Sequence, residues 1–315
     1  MASKIMTRGA QAPFRYVLSC VGATFSCEAL ARLSALLAEV PAQIDHISPP
    51  AWGRLRGVEI TFSSDTLLDA RLLSRRLAAG VEACGVDVAI QPVALYRTPK
   101  NLLCLDMDST LVQIEGIDAL AKEAGVFKRV AGITHRAMNG EMSFPEALRE
   151  RVALLAGLSA GALARVHKQA HLTPGACMLI RTLQSRGCKV AVLSGGFDYF
   201  ASRIQKTLGL DYAYANHLEI QNGRLTGKIV GEVVDGARKR ALLEMIAKKE
   251  RVRANQVIAI GDGANDLPML HAAGLGIAYH AKPNVRAQAP YNLTQNTLEA
   301  VLCWMGGTRQ GHGKA

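Results

Sequence analysis

Two carboxylates, Asp106 and Asp108, follow the short apolar run 102–105 in the segment DMDST. In an open parallel sheet, ligands bind beyond the carboxyl ends of the strands, and alternate residues of a strand share one face. The two acids could therefore point into one pocket. One could attack a substrate as a nucleophile while the other moves protons, and a divalent cation would offset their repulsion. The same spacing is common in turns and calcium-binding loops, so this segment alone leaves the chemistry open.

Two further apolar runs also end in polar residues. Residues 189–193 lead into Ser194, Gly195 and Gly196, where a hydroxyl and backbone amides could hold an anion. Residues 257–260 lead into the segment GDGAND, whose carboxylates are hard oxygen ligands of the kind that Mg²⁺ prefers. These segments add a candidate phosphate-binding loop and a second candidate anchor for a metal.

Three consecutive cations, Arg238, Lys239 and Arg240, open an amphipathic stretch between these two segments. A cation at this place could neutralise the oxygens of a transferring phosphoryl group. Successive helical residues point about 100° apart, so only one of the three should face a site. Taken together and in this order, the four polar clusters predict phosphoryl transfer.

The motifs resemble those of the phosphoserine phosphatases, a group within the haloacid dehalogenase superfamily. The resemblance extends over about residues 101–292 and rests on five segments: DMDSTLVQIEGID, AMNGEMSFPEALRERVALL, VLSGGFDYF, LGLDYAYAN and GDGANDLPML. It implies hydrolysis of O-phospho-L-serine to L-serine and phosphate through an aspartyl phosphate, the last step of serine biosynthesis.

By this resemblance, Asp106 is the nucleophile, and Asp108 is the acid and base that serves the departing serine oxygen and then the attacking water. The Mg²⁺ cofactor would be held by the side chain of Asp106, the backbone carbonyl of Asp108 and the carboxylate of Asp262. Asp266 would support these ligands.

The resemblance also assigns the residues that hold the substrate. Ser194, the amide of Gly195, and Asn265 would lie at the phosphate. Lys239, which the spacing from residues 231–233 favours over its neighbours, would supply the fixed positive charge. The amino-acid part would be bound by the residues of a helical cap: Glu115 at the ammonium group, Arg151 at the carboxylate, and Met138 and Phe144 around the small side chain.

Other interpretations remain open from sequence. The same chemistry could act on phosphothreonine or phosphohomoserine, because one methyl group is worth only about 1 to 3 kcal/mol of discrimination in a pocket. A regulatory or nucleic-acid-binding protein with a vestigial phosphatase site is a different class. Against it, every catalytic position named above has the residue type that the chemistry needs.

The length of 315 residues and the element pattern predict two domains. Residues 1–95 follow a βαββαβ order, with strands at 16–20, 42–47, 58–62 and 86–93 and helices at 28–39 and 66–84, which predicts a small α+β ferredoxin-like sandwich. This order resembles ACT-like domains, which often sense amino acids or pair subunits, so the resemblance allows a homodimer. Residues 96–305 predict a doubly wound parallel-sheet α/β phosphatase domain of the Rossmann-like haloacid dehalogenase type. Its helical cap is expected at about 112–176, and residues 306–315 are expected to form a flexible tail.

Composition narrows the class of protein further. Seven cysteines without Cys-x-x-Cys spacing indicate neither a disulfide framework nor a zinc site, and fit a cytoplasmic location. His167 and His171 lack a third ligand in a zincin-like pattern. The net charge of +11 is spread along the chain without nucleic-acid-binding signatures, and no apolar run reaches the length of a membrane span. A small-molecule substrate is therefore expected, with no nucleic acid and no membrane. The start, 1–14, favours a short disordered terminus over a transit peptide.

Overall fold

The computed structural model describes residues 13–50 and 55–306. The chain divides into two compact units, of which the first extends to Arg97 and takes in Gly306, and the second spans Thr98–Met305. Of the amino terminus that is expected to be disordered, residues 1–12 lie outside the described ranges, whereas Phe14 already belongs to the first strand. Apart from Gly306, the carboxyl-terminal tail also lies outside the described ranges. Within those ranges, no helix combines the length and the apolar character that crossing a bilayer requires.

The first unit is an antiparallel four-stranded sheet with the order β2-β3-β1-β4. Its core contains Leu18, Leu33, Phe62, Leu77 and Ile90, which are all buried. The elements in chain order are β1 (Phe14–Gly22), α1 (Cys27–Ala38), β2 (Gln43–Ser48), β3 (Arg56–Ser64), α2 (Ala70–Val81), β4 (Val86–Pro92) and α3 (Val93–Arg97). The βαββαβ order predicted from the sequence is confirmed.

One predicted helix begins later than expected. Helix α2 begins at Ala70, whereas the apolar periodicity predicts a start at residue 66. The reason is Asp69, which has an extended backbone and accepts hydrogen bonds from the amides of Arg71 and Leu72. Such a cap satisfies the first free N–H groups of a helix and fixes its start, so the residues before it stay outside.

The second unit is a seven-stranded sheet with helices, in the order β11-β10-β9-β5-β6-β7-β8. All neighbouring strands are parallel except β7 and β8, which are antiparallel. The elements are β5 (Leu102–Leu105), α4 (Gly116–Glu123), α5 (Phe127–Met138), α6 (Phe144–Ala153), α7 (Gly161–Gln169), α8 (Ala176–Gln184), β6 (Lys189–Phe197), α9 (Asp198–Leu208), β7 (Tyr212–Gln221), β8 (Arg224–Val230), α10 (Gly236–Lys249), β9 (Val257–Gly261), α11 (Leu267–Ala272), β10 (Leu275–Tyr279), α12 (Pro283–Arg286) and β11 (Tyr291–Leu293). The predicted fold class is confirmed.

The central position of β5 brings the polar segments together. Leu105, the last residue of β5, pairs with Val192 of β6 on one side and with Ile260 of β9 on the other. All residues of β5 and β9 are buried, as expected for parallel strands covered on both faces. The residues that follow Leu105, Leu193 and Ile260 therefore emerge side by side at one edge of the sheet.

Helices α4 to α7 lie between β5 and β6 in the chain and form the cap. One end of the cap is bound to the β7–β8 hairpin. The backbone amide of Gly157 donates to the carbonyl of Leu225, and the amide of Leu225 donates to the carbonyl of Leu158. The amide of Ala160 donates to the carbonyl of Gly223, and all three distances are 2.8 to 2.9 Å. The hairpin is thus both an edge of the sheet and a support of the cap.

Strand β8 has no counterpart among the elements predicted from the sequence. Its signal is the turn at Asn222 and Gly223, whose φ values of 49° and 73° suit the Asn-Gly pair that joins two-residue hairpins. The strands on either side are only partly buried, so they lack the apolar runs that mark the central strands.

Candidate active site

A buried lysine lies between two carboxylates at the carboxyl edge of the sheet. The Nζ atom of Lys239 is 2.6 Å from Oδ1 of Asp106 and 2.6 Å from Oδ1 of Asp266. The lysine and Asp266 are completely buried. Burial lowers the pKa of Lys239, but the two carboxylates outweigh it, so the net pKa is raised and the side chain is a permanent cation.

Helix α10 explains why this lysine reaches the site. Asp235 caps the helix by accepting from the amide of Arg238, which places Lys239 in the first turn, facing the sheet. Its two cationic neighbours point elsewhere: Arg238 pairs with Glu232, and Arg240 pairs with an exposed glutamate one turn later. Of the three consecutive cations, Lys239 alone is buried against the carboxylates.

Three carboxylates form a group that could hold a metal ion. Single side-chain oxygens of Asp106, Asp262 and Asp266 lie within 4.8 Å of one another. Both oxygens of Asp266 already have partners, because Oδ1 binds Lys239 and Oδ2 accepts from the amides of Asp262 and Gly263 at 3.1 and 2.9 Å. Asp266 thus holds the loop, and the carboxylates of Asp106 and Asp262 are the ones better placed as ligands.

The electrostatics of this group fit a cation. Burial, the charge of Asp266 and that of Asp262 raise the pKa of Asp106 well above its usual range, against the opposing effect of Lys239. Burial and Asp266 raise the pKa of Asp262 to about 7, although Thr110 donates a hydrogen bond of 2.7 Å to its Oδ1. Excess negative charge on hard oxygen atoms is what a divalent cation relieves, so the donor set fits a metal ion.

Asp108 has hydrogen-bond partners outside the group of Lys239, Asp106 and Asp266, which we call the lysine cluster. Its Oδ1 accepts from the amide of Gly116 at 2.9 Å, and the hydroxyl of Ser194 lies 3.4 Å from its Oδ2. A β-carbon on Gly196 would be 2.2 Å from that Oδ2, so only glycine leaves room for the carboxyl group. Burial and then Glu115 raise the pKa of Asp108 to about 7, which allows both protonation states near neutral pH.

The glycine loop at the end of β6 contacts the cap. Ser194 is completely buried, and its Oγ accepts from the amide of Gly196 at 2.8 Å. A β-carbon on Gly195 would be 2.8 Å from the ring of Phe144, the first residue of helix α6. The cap therefore covers the place where the loop could hold a phosphate. Asn265 is half-buried, and its backbone lies against Gly236 at the start of α10.

The cap brings a carboxylate and a guanidinium into electrostatic reach of each other. Glu115 precedes helix α4, and its Oε1 accepts from the hydroxyl of Ser109 at 2.8 Å. Burial raises the pKa of Glu115 against the effects of Ser109 and Arg151. Arg151 on α6 binds the carbonyl of Ala147 and the hydroxyl of Thr134. Both side chains are candidates for binding a zwitterionic group.

Met138 is a predicted site residue that the structure leaves exposed. It ends helix α5 with 59% of its surface exposed, and its sulfur accepts from Nζ of Lys282 at 3.5 Å. The contact joins the tip of the cap to the loop that follows β10. Lys282, Thr110 and Ser109 are not among the site residues predicted from the sequence, although Ser109 and Thr110 lie within the DMDST segment.

Comparisons with known proteins identify the family of this chain. The family model described as haloacid dehalogenase-like hydrolase matches residues 103–271. A phosphoserine phosphatase of Streptomyces coelicolor is 43% identical over 94% of this chain and 72% of its own length, and one of Archaeoglobus fulgidus is 48% identical over 73% and 67%. The crystal structure of a HAD family hydrolase from Salmonella enterica serovar Typhi superposes with a TM-score of 0.82, at 29% identity, over 92% of this chain and 98% of that one. The chain therefore belongs to the haloacid dehalogenase-like hydrolase family, among its phosphoserine phosphatases.

Proposed function

We propose that this chain hydrolyses O-phospho-L-serine to L-serine and phosphate, the last step of serine biosynthesis. It is a phosphoric monoester hydrolase that acts on a small molecule. The observation that carries the choice of substrate is the pair Glu115 and Arg151 on the cap. One can bind the ammonium group and the other the carboxylate of an amino acid whose phosphate points toward the lysine cluster.

In the proposed first step, a carboxylate oxygen of Asp106 attacks phosphorus, and the bond from phosphorus to the serine oxygen breaks. Asp108 protonates the departing oxygen, for which a pKa of about 7 is suitable. Ser194, the Gly195 amide and Asn265 hold phosphoryl oxygens, and Lys239 stabilises their charge. In the second step, Asp108 takes a proton from the water that attacks the aspartyl phosphate, which releases phosphate and restores both carboxyl groups.

We also propose Mg²⁺ as the cofactor, held by the side chains of Asp106 and Asp262 and the backbone carbonyl of Asp108. When bound, the ion neutralises part of the charge on the phosphoryl oxygens and on the crowded carboxylates. The carboxylate-only side-chain set supports a hard cation over zinc or copper. Asp266 keeps the loop of Asp262 in place through its two amide contacts.

Removal of the metal should stop turnover. Treatment with EDTA is expected to abolish phosphate release from phosphoserine, and excess Mg²⁺ should restore it. Phosphate release is measured colorimetrically before and after each addition. Activity that is indifferent to the chelator would contradict the metal's role.

Substitution of Arg151 should separate two substrates. The Arg151→Ala variant is expected to lose at least about tenfold more kcat/KM on phosphoserine than on p-nitrophenyl phosphate, which has no carboxylate for the guanidinium to bind. Arg149→Ala is a matched control, because Arg149 lies exposed on the same helix. Equal losses on both substrates would show that the cap residue has another task.

The proposed substrate has close competitors. A panel of phosphoserine, phosphothreonine and phosphohomoserine, run on the purified protein, ranks them by kcat/KM. A protein with a vestigial site would release phosphate from none of them.

The amino-terminal domain, the assembly and the location of the enzyme are also proposals. We propose an ACT-like domain at about residues 1–95, a homodimer as the assembly, and activity in the cytoplasm without nucleic acid or membrane. All seven cysteines are free, which supports a reducing compartment. Size-exclusion chromatography with light scattering tests the assembly.

A further inference from the structure

A buried asparagine on β7, Asn216, lies against the glycine loop that follows Leu193. The side chain is 1% exposed. Its amide nitrogen donates to the carbonyls of Gly195 and Gly196 at 2.8 and 3.2 Å, and its oxygen accepts from the amide of Val234 at 2.8 Å. An asparagine has two amide hydrogens to donate, so both are used on this loop.

The position of Asn216 follows from an irregularity in strand pairing. Strands β6 and β7 pair at Leu193 with Tyr214 and again at Phe197 with Asn216. Three residues of β6 thus face one residue of β7 between these pairs. Such a bulge takes backbone groups out of the regular ladder, and buried backbone groups need other partners. The side chain of Asn216 supplies them for two consecutive carbonyls.

This contact orients the hydroxyl of Ser194. A peptide unit is planar, and its C=O and N–H point in opposite directions. The carbonyl of Gly195 is held by Asn216, and the N–H of the same peptide belongs to Gly196 and donates to Oγ of Ser194 at 2.8 Å. The planar peptide between Gly195 and Gly196 is therefore held by Asn216 on one side and binds the Ser194 hydroxyl, which lies beside Asp108, on the other.

The third contact of Asn216 is with the segment that precedes helix α10, which carries Lys239. Val234, whose amide binds the asparagine oxygen, precedes Asp235, the residue that caps α10. Lys239 lies in the first turn of that helix and binds Asp106. A single side chain thus joins the loop with Ser194 to the segment that starts the helix of Lys239.

We infer that Asn216 is a positioning residue that fixes the spacing of Ser194 and Lys239 around the transferring phosphoryl group. The inference rests on the proposed phosphatase function and deepens it. Because the asparagine acts on the two groups that hold phosphate, its effect should be the same whatever alcohol leaves. This separates it from Arg151, whose effect should depend on the amino-acid part.

The test uses Asn216→Asp, which has the same shape and keeps an oxygen for the amide of Val234 but turns an oxygen toward the two glycine carbonyls. We expect kcat/KM to fall at least about tenfold, and by the same factor, on phosphoserine and on p-nitrophenyl phosphate. Inhibition by inorganic phosphate should weaken in parallel. Asn216→Ser, which can still donate one hydrogen bond, should lie between this variant and the wild type, and it brings no buried charge that could prevent folding.

The matched control is Asn292→Asp on β11 of the same sheet, where the asparagine donates to the carbonyl of Arg286 at 3.0 Å. It should keep wild-type kinetics. The inference is overturned if both Asn216 variants keep the wild-type kcat/KM and phosphate inhibition while only their melting temperatures fall, or if the loss is confined to phosphoserine. A wild-type protein that hydrolyses p-nitrophenyl phosphate but not phosphoserine would reject the proposed substrate and leave this comparison intact.

Discussion

The Asp106→Asn variant is expected to lose phosphate release by about four orders of magnitude or more, the scale of losing a hydrolase nucleophile. An amide nitrogen or its carbonyl oxygen cannot replace the carboxylate oxygen that would bond to phosphorus. Phosphate release from phosphoserine, followed over hours at high enzyme concentration, gives the residual rate. In the wild type, rapid quenching with labelled substrate should also trap a phosphorylated protein, and the variant should give none.

The same substitution should leave the fold intact. Burial and neighbouring carboxylates raise the pKa of Asp106, so the ionised form is disfavoured in the folded state and its removal relieves repulsion from Asp266. The lost contact with Lys239 is offset because Asp266 still binds that lysine. Asp65→Asn, at an exposed position of the first unit, serves as the control and should retain full activity. Full turnover by the Asp106 variant would refute the covalent route.

Replacement of Lys239 by methionine should affect both stability and activity. Methionine has a similar length but no charge, so Asp106 and Asp266 would stay buried without their cation. Breaking a buried ion pair in this way costs about 3 to 5 kcal/mol, and the loss of a fixed charge at a transferring group costs at least about a hundredfold in kcat. Urea unfolding in EDTA gives the free energy of unfolding, and the phosphate assay gives kcat.

The stability deficit of this variant should depend on pH. Without Lys239, the pKa of Asp106 rises further above its unfolded value. When a carboxyl group has a higher pKa in the folded state than in the unfolded state, the free energy of unfolding falls as the pH rises from the unfolded-state pKa through the folded-state pKa. Lys239 also lowers the pKa of Asp262, which is about 7 with the lysine present, so the deficit should grow as the pH rises above 7 and be larger at pH 8 than at pH 5. Arg240→Met removes an exposed cation one residue away and should change little, while an equal deficit in both variants would contradict the central role of the lysine.

The strands that carry the candidate site could be predicted because parallel strands are buried on both faces. The runs 102–105, 189–193 and 257–260 are apolar throughout, and their ends mark the carboxyl edge of the sheet. Strand β8 was missed because an edge strand is only partly buried and has no such run. The apolar periodicity predicts too early a start for α2, because the side-chain cap of Asp69 determines where the helix begins and a cap leaves no trace in the periodicity.

Residues within sharp motifs could be chosen from the sequence, since spacing and residue type together limit their chemistry. Asp106 and Asp108 are of this kind, whereas Lys239 is chosen from three consecutive cations by its spacing from residues 231–233, and the roles of all three stay predictions. Asn216 lies in the segment LGLDYAYAN, but the sequence predicts no role for it, because its contacts depend on how β6 departs from regular pairing with β7. Lys282 reaches Met138 across 144 residues of sequence, a proximity that only the folded chain reveals.

The attachment of the cap at one end determines how product can leave. Three backbone hydrogen bonds fasten residues 157–160 to the β7–β8 hairpin, whereas at the opposite tip Met138 accepts a side-chain hydrogen bond from Lys282. Breaking one side-chain hydrogen bond costs less free energy than breaking three backbone hydrogen bonds. We therefore expect the cap to open at the Met138 tip while residues 157–160 stay bound to the hairpin. Serine would then leave past Met138, after the contact of Met138 with Lys282 has broken.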